Sequence, residues 1–311
     1  MNQTPTYGVD LITFYHPAYW GVDTYEEILQ LRADDPATLW QRILDGLVEA
    51  GIELVEITFP PADWMSAIDA FGSAVGFAAE LRSRGLRLKS GFHVGLDWNP
   101  GTDRAEAADA ATHYAEFIRT AGGDTLVVGP PMRRSRDARP PMFVDLGYMR
   151  ALADILHHVG DATLRVGVRT AVHTEAHSVH CTRRDIDLLM SLTDPEYVFL
   201  CPDTGHIVLS GGDPVDIVAH HIERAILAHW KDAIGPMPAG MPIDEAVHLE
   251  HRRYFTDVGQ GVVDWPAWMR LVDRTPGGET VLLEQDAVPD PVRVLAEARR
   301  RLDAVRAAYA R

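Results

Sequence analysis

Eight short runs rich in β-branched residues recur along the 311-residue chain, and helical patterns separate nearly all of them. The runs are YGVDLI (7–12), IELVEIT (52–58), LRLKSGFH (86–93), TLVV (125–128), VRTAVH (168–173), VFLC (198–201), AILAH (225–229) and TVLLE (280–284). Each reads as a strand. Between the first two, Asp35 suits a helix cap and Pro36 a first helical turn. Leu39, Ile43, Leu47 and Ala50 then form one apolar face before Gly51. The same grammar predicts helices over 71–84, 104–120, 148–158, 183–192, 214–222, 266–272 and 291–308. Strand-then-helix repeated eight times predicts a parallel sheet, and eight such units close most simply into a single-domain (β/α)8 TIM barrel. A doubly wound open sheet is the alternative, but no G-x-G-x-x-G follows the first run.

Three connections are long: 13–35, 129–147 and 230–264. All follow strands, which in a barrel puts them on the C-terminal face, where active sites form. The last contains IGPMPAGMPIDEAVH and reads as a mobile lid over about 232–264.

Composition narrows the partners. The formal net charge of −16 repels a phosphate backbone, which argues against nucleic acid. No run of 18 apolar residues and no basic-then-apolar N-terminus occurs, so neither a membrane span nor export is expected. Cys181 and Cys201 form no disulfide framework and suit a reducing cytoplasm.

Polar residues collect at the strand ends. The fifth run ends in His173, followed by Thr174 and Glu175; the sixth leads into Asp203 and His206. The seventh ends in HWKD, giving His229, Lys231 and Asp232, and the eighth in LLEQD, giving Glu284 and Asp286. His16, Glu56 and His93 lie at or just past the first three. Asp-x-x-His alone fits turn capping by Asp203 as well as it fits ligation. In a closed barrel, however, these side chains converge in one ring. Two or three carboxylates with one imidazole suit one divalent metal ion, Mn²⁺ or Mg²⁺ first, with Co²⁺, Fe²⁺ and Zn²⁺ compatible.

The ordered set GVRTAVHTEAHS, CPDTGHIVLSGGDP, AHWKDA, DVGQGVVDW and LLEQD resembles the xylose-isomerase-like barrels, the sugar isomerase/epimerase superfamily that includes inosose dehydratase. The resemblance spans roughly 7–305 and implies metal ligands Glu175, Asp203, His229 and Glu284. The strand-5 place has two candidates, because many epimerases of this superfamily have a glutamate where this run ends in His173. Either His173 is the ligand, or Glu175 is and His173 is a base. The His-x-Glu pairing resembles metal-binding subunits of bacterial C-glycoside deglycosidases, which favours the second assignment. The implied roles are then His173 and His206 as bases, with Lys231 steadying a sugar oxygen. His16, Glu56, His93, Trp98 and Asp286 become substrate contacts. Trp20 and Trp230 suit sugar stacking or lid packing equally. His220, His221, His248 and His251 read as surface residues, and RRSRDARPP (133–141) as a solvated basic loop.

A divalent metal that holds a carbonyl and its adjacent hydroxyl acidifies the neighbouring C–H. A side-chain base adds typically 10²–10⁴-fold. The expected activity is therefore enolisation of a keto-sugar or keto-cyclitol followed by β-elimination, of dehydratase or deglycosidase type. The alternative is a sugar isomerase/epimerase using the same chemistry. An abasic-DNA endonuclease shares the barrel but is disfavoured by the charge. A non-catalytic sugar-binding protein has no need of four ligands. A homo-oligomer or a small accessory β subunit over the barrel mouth is left open.

Overall fold

The computed structural model describes residues 5–94, 101–133, 143–238, 240–244 and 246–309. The barrel strands are β1 (Thr6–Asp10), β2 (Leu54–Ile57), β3 (Arg87–His93), β4 (Thr125–Val128), β5 (Arg169–His173), β6 (Val198–Cys201) and β7 (His229–Trp230). After the hairpin β8 (Asp232–Ala233) and β9 (Phe255–Thr256), β10 (Thr280–Leu283) completes the set. The eight barrel strands pair in the order β6-β5-β4-β3-β2-β1-β10-β7, every pair parallel. Single parallel bridges, Leu200 to Ala225 and Asp203 to His229, close the ring between β6 and β7. The chain is a TIM barrel.

Interior and exterior alternate along each strand, as the pleat requires. Val127, Ala171, Cys201, Leu227 and Leu282 form a small apolar cluster inside the barrel, with Phe92 packed on it. Two residues further along four of these strands come His173, Asp203, His229 and Glu284. The larger core lies between the strands and the surrounding helices. Close packing reaches the backbone at Gly8 of β1, where a Cβ would stand 2.8 Å from Leu282 Cδ1 and 2.9 Å from Leu54 Cβ.

Helices Pro36–Ala50 and Arg183–Leu192 fall where the sequence predicts them. The helix expected over 71–84 is Ala74–Ser83, which starts later because Ser73 caps it by accepting from Gly76 N–H; a helix not expected from the sequence, Trp64–Phe71, precedes it. The expected 148–158 helix runs over Leu146–Arg165. It passes through Gly160, where the Tyr197 carbonyl oxygen would stand 2.3 Å from a Cβ, so only glycine fits the packing. Among the described residues, no helix is long and apolar enough to cross a membrane. Cys181 and Cys201 are buried and unpaired.

The 230–264 connection carries the β8–β9 hairpin and the helix Val247–Arg252. Asp232 anchors its far end. Its Oδ2 accepts from Gly259 N and Gly261 N, both at 3.0 Å, and from Trp265 Nε1 at 2.9 Å.

Replacing Gly8 by Ala forces a methyl group into the packed barrel interior. Overpacking of this kind costs ~1–3 kcal/mol, so Gly8→Ala is expected to lower the thermal midpoint. An unchanged melting curve would contradict the packing at this level of the barrel.

Candidate active site

Three side chains reach the mouth because strand alternation directs them there; the fourth, Asp203, is also fixed by a cap. Its Oδ1 accepts from His206 N–H at 2.7 Å and so starts the helix Thr204–Leu209. Its Oδ2 is buried with no hydrogen-bond partner. Capping and ligation are therefore not alternatives here, because one oxygen makes the cap and leaves the other free as a donor.

His173, Asp203, His229 and Glu284 each offer a donor atom within 4.8 Å of the others, and all four residues are buried. His173 Nε2 lies 3.6 Å and His229 Nδ1 3.9 Å from Asp203 Oδ2, and His229 Nδ1 contacts Glu284 Oε2. None of these four atoms has a hydrogen-bond partner. Buried polar atoms are almost always satisfied, so four lone-pair-bearing atoms facing one another fit a cation. Two imidazoles and two carboxylates make a softer set than the oxygen-rich one expected from the sequence, compatible with Mn²⁺, Fe²⁺, Co²⁺ or Zn²⁺.

His229 is held from behind. Its Nε2 lies 2.7 Å from Glu56 Oε1, and both side chains are fully buried. A carboxylate on the far nitrogen fixes the ring's orientation and raises its basicity as a ligand. Asp10 extends the chain: it forms a close buried group with Glu56 and His229. Burial, then the Glu56 and Glu284 charges, pushes the Asp10 carboxyl well above the usual carboxylate range. Asp10 was missed in the sequence because it sits inside an apolar run; a carboxylate at an interior-facing strand position was the signal.

Glu175 stands outside the group of four. Its Oε2 lies 3.4 Å from both His173 Nδ1 and His206 Nε2, and its Oε1 faces His248 and His251. Burial opposes its ionisation, but the His173, His248 and His251 imidazoles hold it below the usual carboxylate value. His251 is buried, against the surface position expected for it; His220 and His248 are exposed.

His206 Nδ1 accepts from Ala176 N–H at 3.1 Å, so the proton of the neutral ring belongs on Nε2. Burial, and next the Lys231 charge, pushes His206 well below its ordinary value. His206 is thus a hydrogen-bond donor toward Glu175, with no lone pair to spare for a substrate proton. Lys231 Nζ lies 3.3 Å from His206 Nε2, but both atoms carry protons and the two are neighbours only. The ammonium instead binds Glu284 Oε1 at 2.5 Å and Asp286 Oδ1 at 2.8 Å. Burial opposes its charge, yet Asp286, Glu284 and Asp203 hold it well above the ordinary lysine value.

Over this floor opens a cavity of ≈ 660 Å³. Glu175, His206, Glu284 and Asp286 supply its polar side; Tyr15, Tyr25, Phe59, Phe92, Met132 and Leu249 supply an apolar wall. Other expected contacts sit elsewhere. His16 is half-buried and caps the helix Pro17–Trp20 through Nδ1. His93 turns toward the helix side of the barrel, edge-on to Tyr114 with centroids 5.7 Å apart. Trp20 and Trp230 are packing residues: Trp20 Nε1 donates to the Phe14 carbonyl, and Trp230 stacks on Trp265. Trp98, and the 133–141 loop beyond Arg133, lie outside the described residues; Arg133 pairs with Asp185 at 2.6 Å.

The fold and this ring of donors define a class, and residues 44–305 match the family described as Xylose isomerase-like TIM barrel. The chain belongs to that family. It is 30% identical over 242 residues to an inosose dehydratase of Lacticaseibacillus casei, covering 72% of this chain and 78% of the relative. It is 28% identical over 231 residues to that of Geobacillus kaustophilus, covering 68% and 73%. Solved structures sharing the fold include the following two. The IolI protein with a bound zinc atom has a TM-score of 0.69 at 14% identity, covering 98% of this chain and 99% of that one. The probable 3-DHS dehydratase AsbF of Bacillus anthracis has a TM-score of 0.67 at 13% identity, covering 96% and 98%.

If Glu56 orients His229, Glu56→Gln weakens divalent-metal binding by about 10–100-fold while the fold persists. Metal titration followed by calorimetry measures this. An affinity equal to wild type would remove Glu56 from the site.

Proposed function

We propose that this protein is a divalent-metal-dependent lyase that removes a proton beside the carbonyl of a keto-sugar or keto-cyclitol and expels a β-substituent. The observation that supports this most is a group of four converging donors, of which His173 and Glu284 line the cavity, beside a separate carboxylate, Glu175, on that cavity. The curated relatives that are dehydratases supply the reaction class.

His173, Asp203, His229 and Glu284 would hold the metal. Strand alternation favours His173 over Glu175, because His173 is in phase with the other three donors and Glu175 lies in the loop beyond. When bound, the metal polarises the substrate carbonyl and acidifies the adjacent C–H. Glu175 is then the base. Its neighbours keep it ionised, and His206 Nε2–H fixes its Oε2. The released leaving group takes up a proton, so C–H and C–O bonds break as C=C forms. Lys231 does not line the cavity; it acts as a positioning residue that keeps Glu284 ionised and holds Asp286 in place. Leu249 and the aromatic wall exclude water, which protects an enolate from early reprotonation.

A second reading, isomerase or epimerase, has one observation in its favour. Asp286 lines the cavity, and burial, despite Lys231, pushes its carboxyl up to about 6. A group near neutrality can return a proton to substrate. The solved L-ribulose 3-epimerase has the same fold, with a TM-score of 0.67.

Incubation of metal-loaded protein with inosose or a 3-keto-glucoside in D₂O separates the two readings. Release of water or aglycone supports the lyase; deuterium in a rearranged ketose supports the epimerase. No exchange with any keto-sugar would refute both. Glu175→Gln is expected to cut turnover by ~10²–10⁴-fold with metal retained, whereas His173→Gln loses the metal. The opposite pattern would exchange the two roles.

A further inference from the structure

We propose a second transition-metal site beside the first, formed by Glu175 from the β5 loop with His248 and His251 from the helix Val247–Arg252. His248 and His251 are three apart on that helix and so share a face. His248 Nδ1 lies 3.7 Å and His251 Nδ1 3.6 Å from Glu175 Oε1. Each of the three residues offers a donor within 4.8 Å of the others. Ligands bound at 2.0–2.1 Å around a tetrahedral zinc stand about 3.4 Å apart, so little movement is needed to close on an ion.

The protonation pattern suits a ligand set. His251 Nε2 lies 2.9 Å from His177 Nδ1, with the two rings stacked. A proton on His251 Nε2 donated to His177 leaves Nδ1 with a lone pair aimed at Glu175. That Nδ1 is buried without a hydrogen-bond partner, and the His251 side chain is 1% exposed. His177 reaches this place through a left-handed backbone, φ 63°, uncommon for a residue with a side chain. Glu175 has an oxygen for each duty, since Oε2 faces His173 and His206 while Oε1 faces the lid. Two imidazoles and a carboxylate select Zn²⁺, Co²⁺ or Ni²⁺ over Mg²⁺ or Ca²⁺. His248 is largely exposed, which gives the ion a route from solvent.

Occupancy joins the lid helix to the β5 loop and takes the charge of Glu175. This last consequence rests on Glu175 being the base: a second equivalent of Zn²⁺ then inhibits. The site itself stands apart from that reading, so the test counts ions. Metal-free full-length protein is titrated with Co²⁺ by calorimetry and visible absorption, alongside Asp203→Ala, His248→Ala and Glu175→Gln. Two equivalents in wild type, falling to one in each variant, with the His248→Ala and Asp203→Ala spectra summing to that of wild type, is the expected result. One equivalent in wild type that survives in His248→Ala overturns the second site. One equivalent that survives in Asp203→Ala but not in His248→Ala keeps the second site and refutes the first. His248 is exposed, so its replacement leaves the core intact; circular dichroism verifies this.

Discussion

A single buried ammonium and a ring of imidazoles compensate six carboxylates at the mouth of this barrel. Asp10, Glu56, Glu175, Asp203, Glu284 and Asp286 crowd there, and Lys231 is 1% exposed among them. Its Nζ lies 2.5 Å from Glu284, 2.8 Å from Asp286 and 3.6 Å from Asp203. Ionised carboxylates do not enter a low-dielectric interior unpaired, and removing one partner of a buried pair costs ~3–5 kcal/mol. Burial and the Glu56 and Glu284 charges push the Asp10 carboxyl well above the usual carboxylate range, which favours its neutral form. The remaining negative charge is what a divalent cation between His173, Asp203, His229 and Glu284 would balance. Stability of the mouth and metal affinity are therefore one electrostatic problem.

Much of the architecture was legible because barrel strands are buried on both sides and read as apolar runs. All eight expected runs contain or overlap regular strands in the places read. The seventh, expected over 225–229, is the weakest match: regular pairing is confined to His229–Trp230, against β10, while Ala225 makes only a bridge to Leu200. Period-two patterns cannot distinguish a full ladder from single bridges. The helix expected over 148–158 falls short at its C-terminal end, because it continues past Gly160, where the Tyr197 carbonyl oxygen packs against the backbone, to Arg165.

The site was half legible. Residue type and strand end placed Asp203, His229 and Glu284 at the mouth, and the family resemblance singled them out; the structure brings their donor atoms together. Phase would have given His173 as well, since it stands two beyond Ala171 as Asp203 does beyond Cys201. The family pattern pointed to a glutamate instead. Glu56 was read as facing substrate, but its place behind His229 depends on how two strands on opposite sides of the ring tilt together, which one chain's pattern does not contain. His251 was hidden for a different reason. The 232–264 segment places His248 and His251 three apart with no pattern that separates them, so nothing in the sequence marks His251 as the one that turns inward.

The tetrapeptide His229-Trp230-Lys231-Asp232 shows how much the alternation carries. His229 turns inward to Asp203 and Glu284. Trp230 turns outward to stack on Trp265 with centroids 5.4 Å apart. Lys231 turns back to the carboxylates, and Asp232 outward to the amides of Gly259 and Gly261. Odd positions build the site and even positions anchor the return of the 230–264 connection to the barrel wall. A one-residue slip here would exchange every role at once, burying Trp230 and Asp232 in the mouth and expelling the imidazole and the ammonium. The donor cluster and the return of the 230–264 connection are therefore specified by the same register, so the strand that supplies His229 and Lys231 also fixes the segment whose Leu249 lines the cavity.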